Sequence, residues 1–170
     1  MVKSQTMIAK NLGLSVQSNI ASVKPEPRPA HRILVVDDEA DIRMINAGVL
    51  THLGYQVDSV ADGAAAWEAL TAGGYDLLIT DNQMPRVSGV ELLRKLHSAH
   101  KAIPVIMATG ILPGHEFVHE PWLQPVAVLL KPYTGTELGE TVARVLLRMP
   151  IARELLKSAE GRDYAQRAPA

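Results

Sequence analysis

The sequence predicts an α/β protein in which a doubly wound sheet of five parallel strands is covered by helices on both faces. Two observations lead to this fold class. Short, continuously apolar runs recur along the central part of the 170-residue chain, as expected of parallel strands that are buried on both faces. Segments with helical spacing of apolar residues separate these runs, and this alternation is typical of right-handed β-α-β crossovers. A common strand order in sheets of this kind is 2-1-3-4-5, and we expect it here.

Five apolar segments are the predicted strands. Four of them are continuous runs, and the second in chain order alternates between apolar and polar residues. They cover residues 33–36, 55–60, 77–79, 105–107 and 126–130.

Helices are predicted between the strands wherever apolar residues repeat every three or four positions. The expected apolar stripes are Ile42, Ile45, Val49 and Leu53 in the first helix, Trp67 and Leu70 in the second, Leu92, Leu93 and Leu96 in the third, and Leu138, Val142, Val145, Leu146 and Met149 in the last. Gly54 and the pair Gly73-Gly74 are the predicted stops of the first two helices, and Pro150 closes the last.

The fourth helix is predicted to be short. Leu112-Pro113-Gly114 opens it and Pro121 ends it, so at most about two turns fit between them. Phe117 and Trp122 lie in or beside this segment, and we expect both aromatic side chains to pack in the core.

Composition excludes several classes of function. Between residues 32 and 147, fourteen Asp and Glu stand against eight Lys and Arg, so nucleic acid is not an expected partner. The chain has no cysteine, which excludes disulfides and thiolate chemistry. No apolar run approaches the ~20 residues of a membrane span. We expect a cytoplasmic protein without a membrane partner.

Three segments divide the chain. Residues 1–30 end in alternating prolines and are predicted to be a disordered or loosely ordered tail, although a short amphipathic interaction segment within it is left open. Residues 31–150 form the predicted domain. Residues 151–170 are a predicted C-terminal tail, which is too short for a DNA-binding output domain.

Three carboxylates follow predicted strands directly. Asp37 and Asp38 follow the first strand, and Asp81 follows the third. Because ligands bind at the carboxyl ends of parallel strands, and because these two strands are neighbours in the expected order, the carboxylates should converge. Their mutual repulsion favours a bound cation, and an all-oxygen site suits Mg²⁺. One carboxylate is then free to act as a nucleophile toward phosphorus.

Two more strand ends carry suitable groups for an acyl phosphate. Thr109 ends the fourth strand and offers a hydroxyl, and Lys131 follows the fifth and offers an ammonium. Taken alone, an Asp-Asp pair after a strand is better explained as a turn or a helix cap, and a single Thr or Lys at a strand end indicates little. The combination at adjacent strand ends favours a phosphorylation site.

With these residues, the sequence resembles the receiver domains of response regulators in two-component signalling. The resemblance covers about residues 31–149. The motifs that carry it are ILVVDDE at 33–39, DLLITDNQMP at 76–85, SGVELL at 88–93, PVIMATG at 104–110 and LLKPY at 129–133. It implies the flavodoxin-like receiver fold and a stand-alone protein that is not an enzyme and signals by protein contact.

The resemblance also implies residue roles. Asp81 would accept a phosphoryl group from a sensor histidine kinase or a phosphotransfer protein. Mg²⁺ would be bound by Asp38, Asp81 and the main-chain carbonyl of Gln83, with Asp37 acting through water. Thr109 and Lys131 would contact the phosphoryl group, as would the main-chain N–H groups of Asn82 and Gly110, and the Lys131–Pro132 peptide is expected to be cis. The downstream protein target is unknown, and a homodimer is left open.

One departure affects the signal relay. Receiver domains often carry Tyr or Phe three residues before the lysine, and here Val128 stands there. Tyr133 is expected to be a packing residue instead. A relay through an aromatic rotamer is therefore not expected, and Thr109 with the loop after it is the expected route.

Two other interpretations compete with a phosphorylated receiver. Residues 115–119 read HEFVH, which matches the H-E-x-x-H pattern of zinc proteases, but the helix is short and no third ligand follows, so a solvated polar face is preferred. A pseudo-receiver that no longer uses phosphate is disfavoured by the intact Asp37, Asp38, Asp81, Thr109 and Lys131.

Overall fold

A computed structural model describes residues 31–149. Its five strands all run parallel in one sheet, in the order β2-β1-β3-β4-β5, which confirms the predicted fold class. The strands are β1 (Arg32–Val36), β2 (Gln56–Val60), β3 (Leu77–Thr80), β4 (Val105–Thr109) and β5 (Ala127–Leu130). The predicted tails lie outside the described residues.

Helices connect successive strands and a last helix follows β5, as the apolar spacing predicts. They are α1 (Ala40–His52), α2 (Gly63–Ala72), α3 (Gly89–Ser98), α4 (Gly114–His119) and α5, which is helical over residues 135–149. A 3-10 turn, Pro121–Leu123, follows α4. None of the helices between residues 31 and 149 is long and apolar enough to cross a bilayer.

Two apolar clusters cover the two faces of the sheet. Leu34, Leu78 and Met107 face one cluster with side chains of α2 and α3. Their chain neighbours face the other, which α1 and α5 complete. Because successive strand residues point to opposite faces, the continuous apolar runs of β1, β3 and β4 supply both clusters.

The predicted apolar stripe of α1 is wrong in part. Ile45 is 59% exposed and Leu53 is 52% exposed, whereas Asn46 and Leu50 are the buried residues of this helix. The buried face is therefore rotated relative to the most apolar stripe. An amide can lie there because the hydroxyl of Tyr133 accepts a hydrogen bond from it.

α4 has six residues, which confirms the short fourth helix. Arg94 of α3 forms an ion pair with Glu120, and the ring of Trp122 lies 6.1 Å from that of His97. Phe117 packs against the core, but Trp122 is 59% exposed, so its expected burial is wrong. Trp122 covers the surface of α3 because the chain after α4 is held on that helix.

β5 is buried on one face only. Leu129 is buried against the cluster that contains α5, whereas Val128, Leu130 and the preceding Val126 are exposed. Burial on both faces, expected from the apolar run, is therefore wrong for this strand. β5 is an edge strand, and the short α4, held on α3, leaves its outer face uncovered.

Candidate functional site

The carboxyl ends of β1 and β3 bring Asp37, Asp38 and Asp81 together. One carboxylate oxygen from each lies within 4.8 Å of the others, and this is the only such group of three His, Cys, Asp or Glu residues within 31–149. Parallel pairing of Val36 with Thr80 places the two strand ends side by side. Asp37 and Asp81 are buried, and Asp38 is exposed. The convergence predicted from the sequence is therefore present.

Asp81 is held from three directions and is only 6% exposed. Its Oδ1 accepts hydrogen bonds from the main-chain N–H groups of Asn82 at 2.5 Å and Gln83 at 3.2 Å. Its Oδ2 accepts one from Lys131 at 2.9 Å. This arrangement fixes the orientation of the carboxylate.

The turn after Asp81 depends on a close backbone approach at Gly89. A Cβ at this position would lie 2.4 Å from the carbonyl oxygen of Asp81, which no side chain tolerates. The N–H of Gly89 donates to the carbonyl of Asn82 at 3.2 Å. The start of α3 therefore packs directly on the backbone of Asp81.

Lys131 bridges two of the carboxylates. Its Nζ lies 2.9 Å from Oδ2 of Asp37 and 2.9 Å from Oδ2 of Asp81. Burial alone would lower the pKa of Lys131, but hydrogen bonds from its ammonium to Asp37 and Asp81, and the charges of these residues, outweigh burial and raise the pKa above its usual value. The lysine is therefore a fixed cation that neutralises part of the acidic cluster.

The turn between β1 and α1 shapes the other side of the site. Oδ1 of Asp37 accepts a hydrogen bond from the N–H of Glu39 at 2.9 Å. Arg43, one turn into α1, donates to the carbonyl oxygen of Asp37 at 2.6 Å. These contacts hold the backbone of the two adjacent acids and leave the Asp38 side chain at the surface.

Thr109 is at the predicted place, the carboxyl end of β4. It is the last residue of β4 and is fully buried, and its carbonyl accepts the N–H of Lys131 at 3.0 Å. Its hydroxyl donates to the carbonyl of Ile111 at 3.0 Å. Within the described residues this hydroxyl therefore binds the loop after β4 rather than Asp81.

Gln83 lies beside Asp81, because its main-chain N–H donates to Oδ1 of that residue. The Lys131–Pro132 peptide is cis, as expected.

His115 and His119 are both exposed on α4, and their ring centroids are 4.3 Å apart. No third His, Cys, Asp or Glu within 31–149 completes a metal group with them.

Sequence reasoning missed several residues that support the site. Arg43 binds the backbone of the acidic turn, and Asn46 binds Tyr133. Asp62, the N-cap of α2, is buried and forms an ion pair with Arg86 in the loop after β3. Asp62 before Gly63 is a helix-start signal that could have indicated the cap. The contacts of Asn46 with Tyr133 and of Asp62 with Arg86 join segments that are far apart in the chain, so no local pattern predicts them.

Comparison with known proteins agrees with this geometry. A family model described as the response regulator receiver domain matches residues 33–143. The chemotaxis protein CheY of Pseudomonas aeruginosa is 31% identical over 121 residues, which are 69% of this chain and 98% of that protein.

Two further relatives differ in how much of them the chain covers. The 3',5'-cyclic-nucleotide phosphodiesterase regA of Dictyostelium discoideum is 33% identical over 130 residues, which are 74% of this chain but 14% of that protein. The structure of the response regulator protein TrrA from Thermotoga maritima, in complex with Mg²⁺–BeF, has a TM-score of 0.59 and 32% identity, and the match covers 67% of this chain and 97% of that one.

Proposed function

Because the chain belongs to the response regulator receiver domain family, we propose that it is a phosphorylation switch of two-component signalling whose phosphoacceptor is Asp81. Receiver domains take phosphoryl groups from histidine kinases. The observation that carries the proposal is the setting of Asp81: a buried carboxylate that two neighbouring acids and one lysine surround at the carboxyl edge of the sheet.

The donor set fits Mg²⁺. Three carboxylates within 4.8 Å carry more negative charge than the single ammonium of Lys131 neutralises, and hard oxygen donors are the ligands that Mg²⁺ prefers. Asp38, Asp81 and the main-chain carbonyl of Gln83 would hold the ion directly, and Asp37 would act through a water molecule. When bound, the ion supplies positive charge against the phosphoryl oxygens.

The chemical step is an exchange of bonds at phosphorus. A carboxylate oxygen of Asp81 attacks the phosphorus of a phosphohistidine on the sensor kinase or a phosphotransfer protein. A P–O bond forms while the P–N bond breaks, and the electron pair of the broken bond goes to the imidazole nitrogen. The imidazole leaves neutral because its other nitrogen carries a proton. The product is an acyl phosphate on Asp81.

Neighbouring groups hold the transferred phosphoryl group. Lys131 already contacts Asp81, so its ammonium can pair with a phosphoryl oxygen there. Thr109 would leave the carbonyl of Ile111 and donate its hydroxyl to the phosphoryl group. That exchange of hydrogen-bond partner would move the loop after β4. The signal could then leave the site without an aromatic residue at position 128, where this chain has Val128.

Signalling would then proceed by contact with another protein. Val126, Val128 and Leu130 are exposed on the uncovered face of β5, and exposed apolar groups of this kind favour protein contact. This face adjoins the loop that Thr109 controls. A downstream protein or a second copy of the chain would bind here after phosphorylation.

Phosphorylation by a small phosphodonor tests the assignment of Asp81. We expect the wild type, with Mg²⁺ and acetyl phosphate, to gain the mass of one phosphoryl group in a bond that hydroxylamine cleaves. Asp81→Asn should remain unmodified because its amide is not a nucleophile. Asp76→Asn is the matched control. Asp76 precedes β3 and accepts a hydrogen bond from the main-chain N–H of Arg32, so it lies at the amino ends of the strands, away from Asp81. A wild type that stays unmodified while a control receiver is labelled would favour a pseudo-receiver.

A further inference from the structure

A partly buried hydrogen bond joins α1 to the loop after β5. Nδ2 of Asn46 donates to the hydroxyl oxygen of Tyr133 at 2.9 Å, between residues 87 positions apart in the chain. Asn46 is 4% exposed and lies on the face of α1 that packs on the sheet. A buried amide requires a polar partner, whereas an apolar side chain would pack there without one. The hydrogen bond between Asn46 and Tyr133 therefore contributes more to the relative position of α1 and the loop after β5 than to the free energy of unfolding.

Tyr133 is held at both ends of its side chain. Its ring packs against the apolar cluster that contains Leu129 and Leu138, and its hydroxyl is bound by Asn46. Burial raises the pKa of Tyr133, with the hydrogen bond from Asn46 acting in the opposite direction. The hydroxyl is therefore neutral at physiological pH and remains attached to α1.

The backbone of Lys131 is restrained on both sides. On one side, its N–H donates to the carbonyl of Thr109 at 3.0 Å. On the other, only Pro132 separates it from Tyr133, and the proline ring restricts the backbone between them. The lysine side chain is long and flexible, yet its ammonium contacts Asp37 and Asp81 at the same time. A restrained backbone makes that double contact easier to keep.

The same helix also holds the acid that Lys131 binds. Arg43 of α1 donates to the carbonyl of Asp37, and Asn46 lies about one turn further along the helix. α1 thus restrains both the Asp37 end and the Lys131 end of their ion pair. A shift of α1 would change both together.

We propose that Asn46 and Tyr133 are positioning residues for Lys131, and that their hydrogen bond lets α1 set the place of the lysine ammonium beside Asp81. The inference rests on the proposed role of Asp81 as phosphoacceptor for its effect on phosphoryl transfer. It does not rest on that role for the position of the lysine itself.

Two measurements on the full-length chain test the inference. The first is the reactivity of Lys131 toward acetic anhydride, measured by mass spectrometry relative to the exposed Lys95, which reports the position of the lysine without any phosphorylation. The second is the rate of phosphorylation by acetyl phosphate at saturating Mg²⁺. We expect Tyr133→Phe to raise the relative labelling of Lys131 severalfold and to slow phosphorylation by about tenfold, because small displacements of reacting groups are costly.

A double variant separates positioning from packing. Asn46→Val with Tyr133→Phe removes both partners, so no buried amide is left without a hydrogen bond and the free energy of unfolding should return toward that of the wild type. The labelling and the rate should stay changed if the hydrogen bond positions Lys131. Tyr55→Phe is the matched control. Tyr55 packs against the same apolar cluster, but it precedes β2 and so lies at the amino ends of the strands, away from Lys131.

The outcomes are distinct. Wild-type labelling and rate in Tyr133→Phe, or recovery of both in the double variant, would overturn the inference, as would an equal change in Tyr55→Phe. Increased labelling in Tyr133→Phe, with a wild type that acetyl phosphate does not modify, would support the positioning role and refute the proposed function.

Discussion

At the scale of single residues, the site is a balance of charges in which each buried carboxylate has a defined partner. Asp37 and Asp81 share Lys131, and Asp62 is paired with Arg86. Because an unpaired buried charge is unfavourable, these partners offset the cost of placing the three carboxylates below the surface. Asp38 is exposed and has the freedom to rearrange around a cation.

Asp62 gives a pH-dependent prediction at this scale. The N–H of Ala65 lowers the pKa of Asp62 against the opposing effect of burial, and the N–H of Ala64 and the Arg86 guanidinium lower it further. A lowered pKa means that the ionised carboxylate stabilises the fold above its unfolded pKa of about 4, and that this contribution is lost as pH falls through the lower folded value.

We therefore expect Asp62→Asn, which keeps an acceptor for the helix cap, to be less stable than the wild type at pH 7. The difference in the free energy of unfolding should shrink below about pH 4. Urea denaturation followed by circular dichroism across this range measures it. A difference that stays constant on acidification would show that the charge of Asp62 contributes nothing.

At the scale of secondary-structure elements, helix ends and helix lengths decide what the site and its surroundings look like. α3 begins with a capping box, in which Ser88 and Glu91 exchange side-chain and backbone hydrogen bonds. This start is adjacent to Gly89, which packs on the backbone of Asp81. The cap thus fixes the loop that follows Asp81, the proposed phosphoacceptor.

Removal of the cap should reduce stability by a predictable amount. Ser88→Ala deletes the acceptor for the N–H of Glu91, and the loss of a serine N-cap typically lowers the free energy of unfolding by about 1 kcal/mol. Ser98→Ala, at the exposed C-terminal end of the same helix, is the control and should change it by less than about 0.5 kcal/mol. Equal effects in chemical denaturation would contradict the capping role.

α4 is the element that departs most from a regular doubly wound fold. Its six residues end before Pro121, and Glu120 and Trp122 hold the following chain on α3. Without a longer helix over β5, the apolar side chains of this edge strand face outward. The same departure therefore creates the surface that we propose for a downstream protein.

At the scale of the whole molecule, the site is formed where the carboxyl ends of four strands lie side by side. Asp37 and Asp38 follow β1, Asp81 follows β3, Thr109 ends β4 and Lys131 follows β5. Residues from opposite ends of the domain thus meet only in the folded state. A ligand that binds this edge should therefore stabilise the whole fold.

Mg²⁺ should raise the thermal stability of the protein for this reason. At a Mg²⁺ concentration tenfold above its Kd, selective binding to the folded state contributes about 1.4 kcal/mol, or a rise in Tm of a few degrees. NaCl at the same ionic strength is the control for screening of the acidic cluster, and Asp38→Asn should lose most of the specific shift. An identical Tm in the two salts would argue against a metal site.

The chain covers its relatives to different extents. It matches almost the full length of CheY of Pseudomonas aeruginosa, but only 14% of the phosphodiesterase regA. The shared unit is the receiver domain, so the proposed chemistry concerns this unit alone. The activity of any larger relative is not implied for this chain.

The sequence by itself determined the order of strands and helices and the residues of the acidic pocket. Both depend on local information: the spacing of apolar residues reports the element, and the position directly after a strand places Asp37, Asp81 or Lys131 at the carboxyl edge. The short α4 could also be predicted, because prolines act on the backbone next to them.

Only the tertiary structure decided which contacts join distant segments. The buried face of α1 includes Asn46 rather than Ile45 because Tyr133, far along the chain, accepts its hydrogen bond. Trp122 is exposed, and no helix within residues 31–149 covers one face of β5, because the chain after α4 is held on α3. The local sequence pattern does not indicate such partners, because each contact depends on where a second segment of the chain packs.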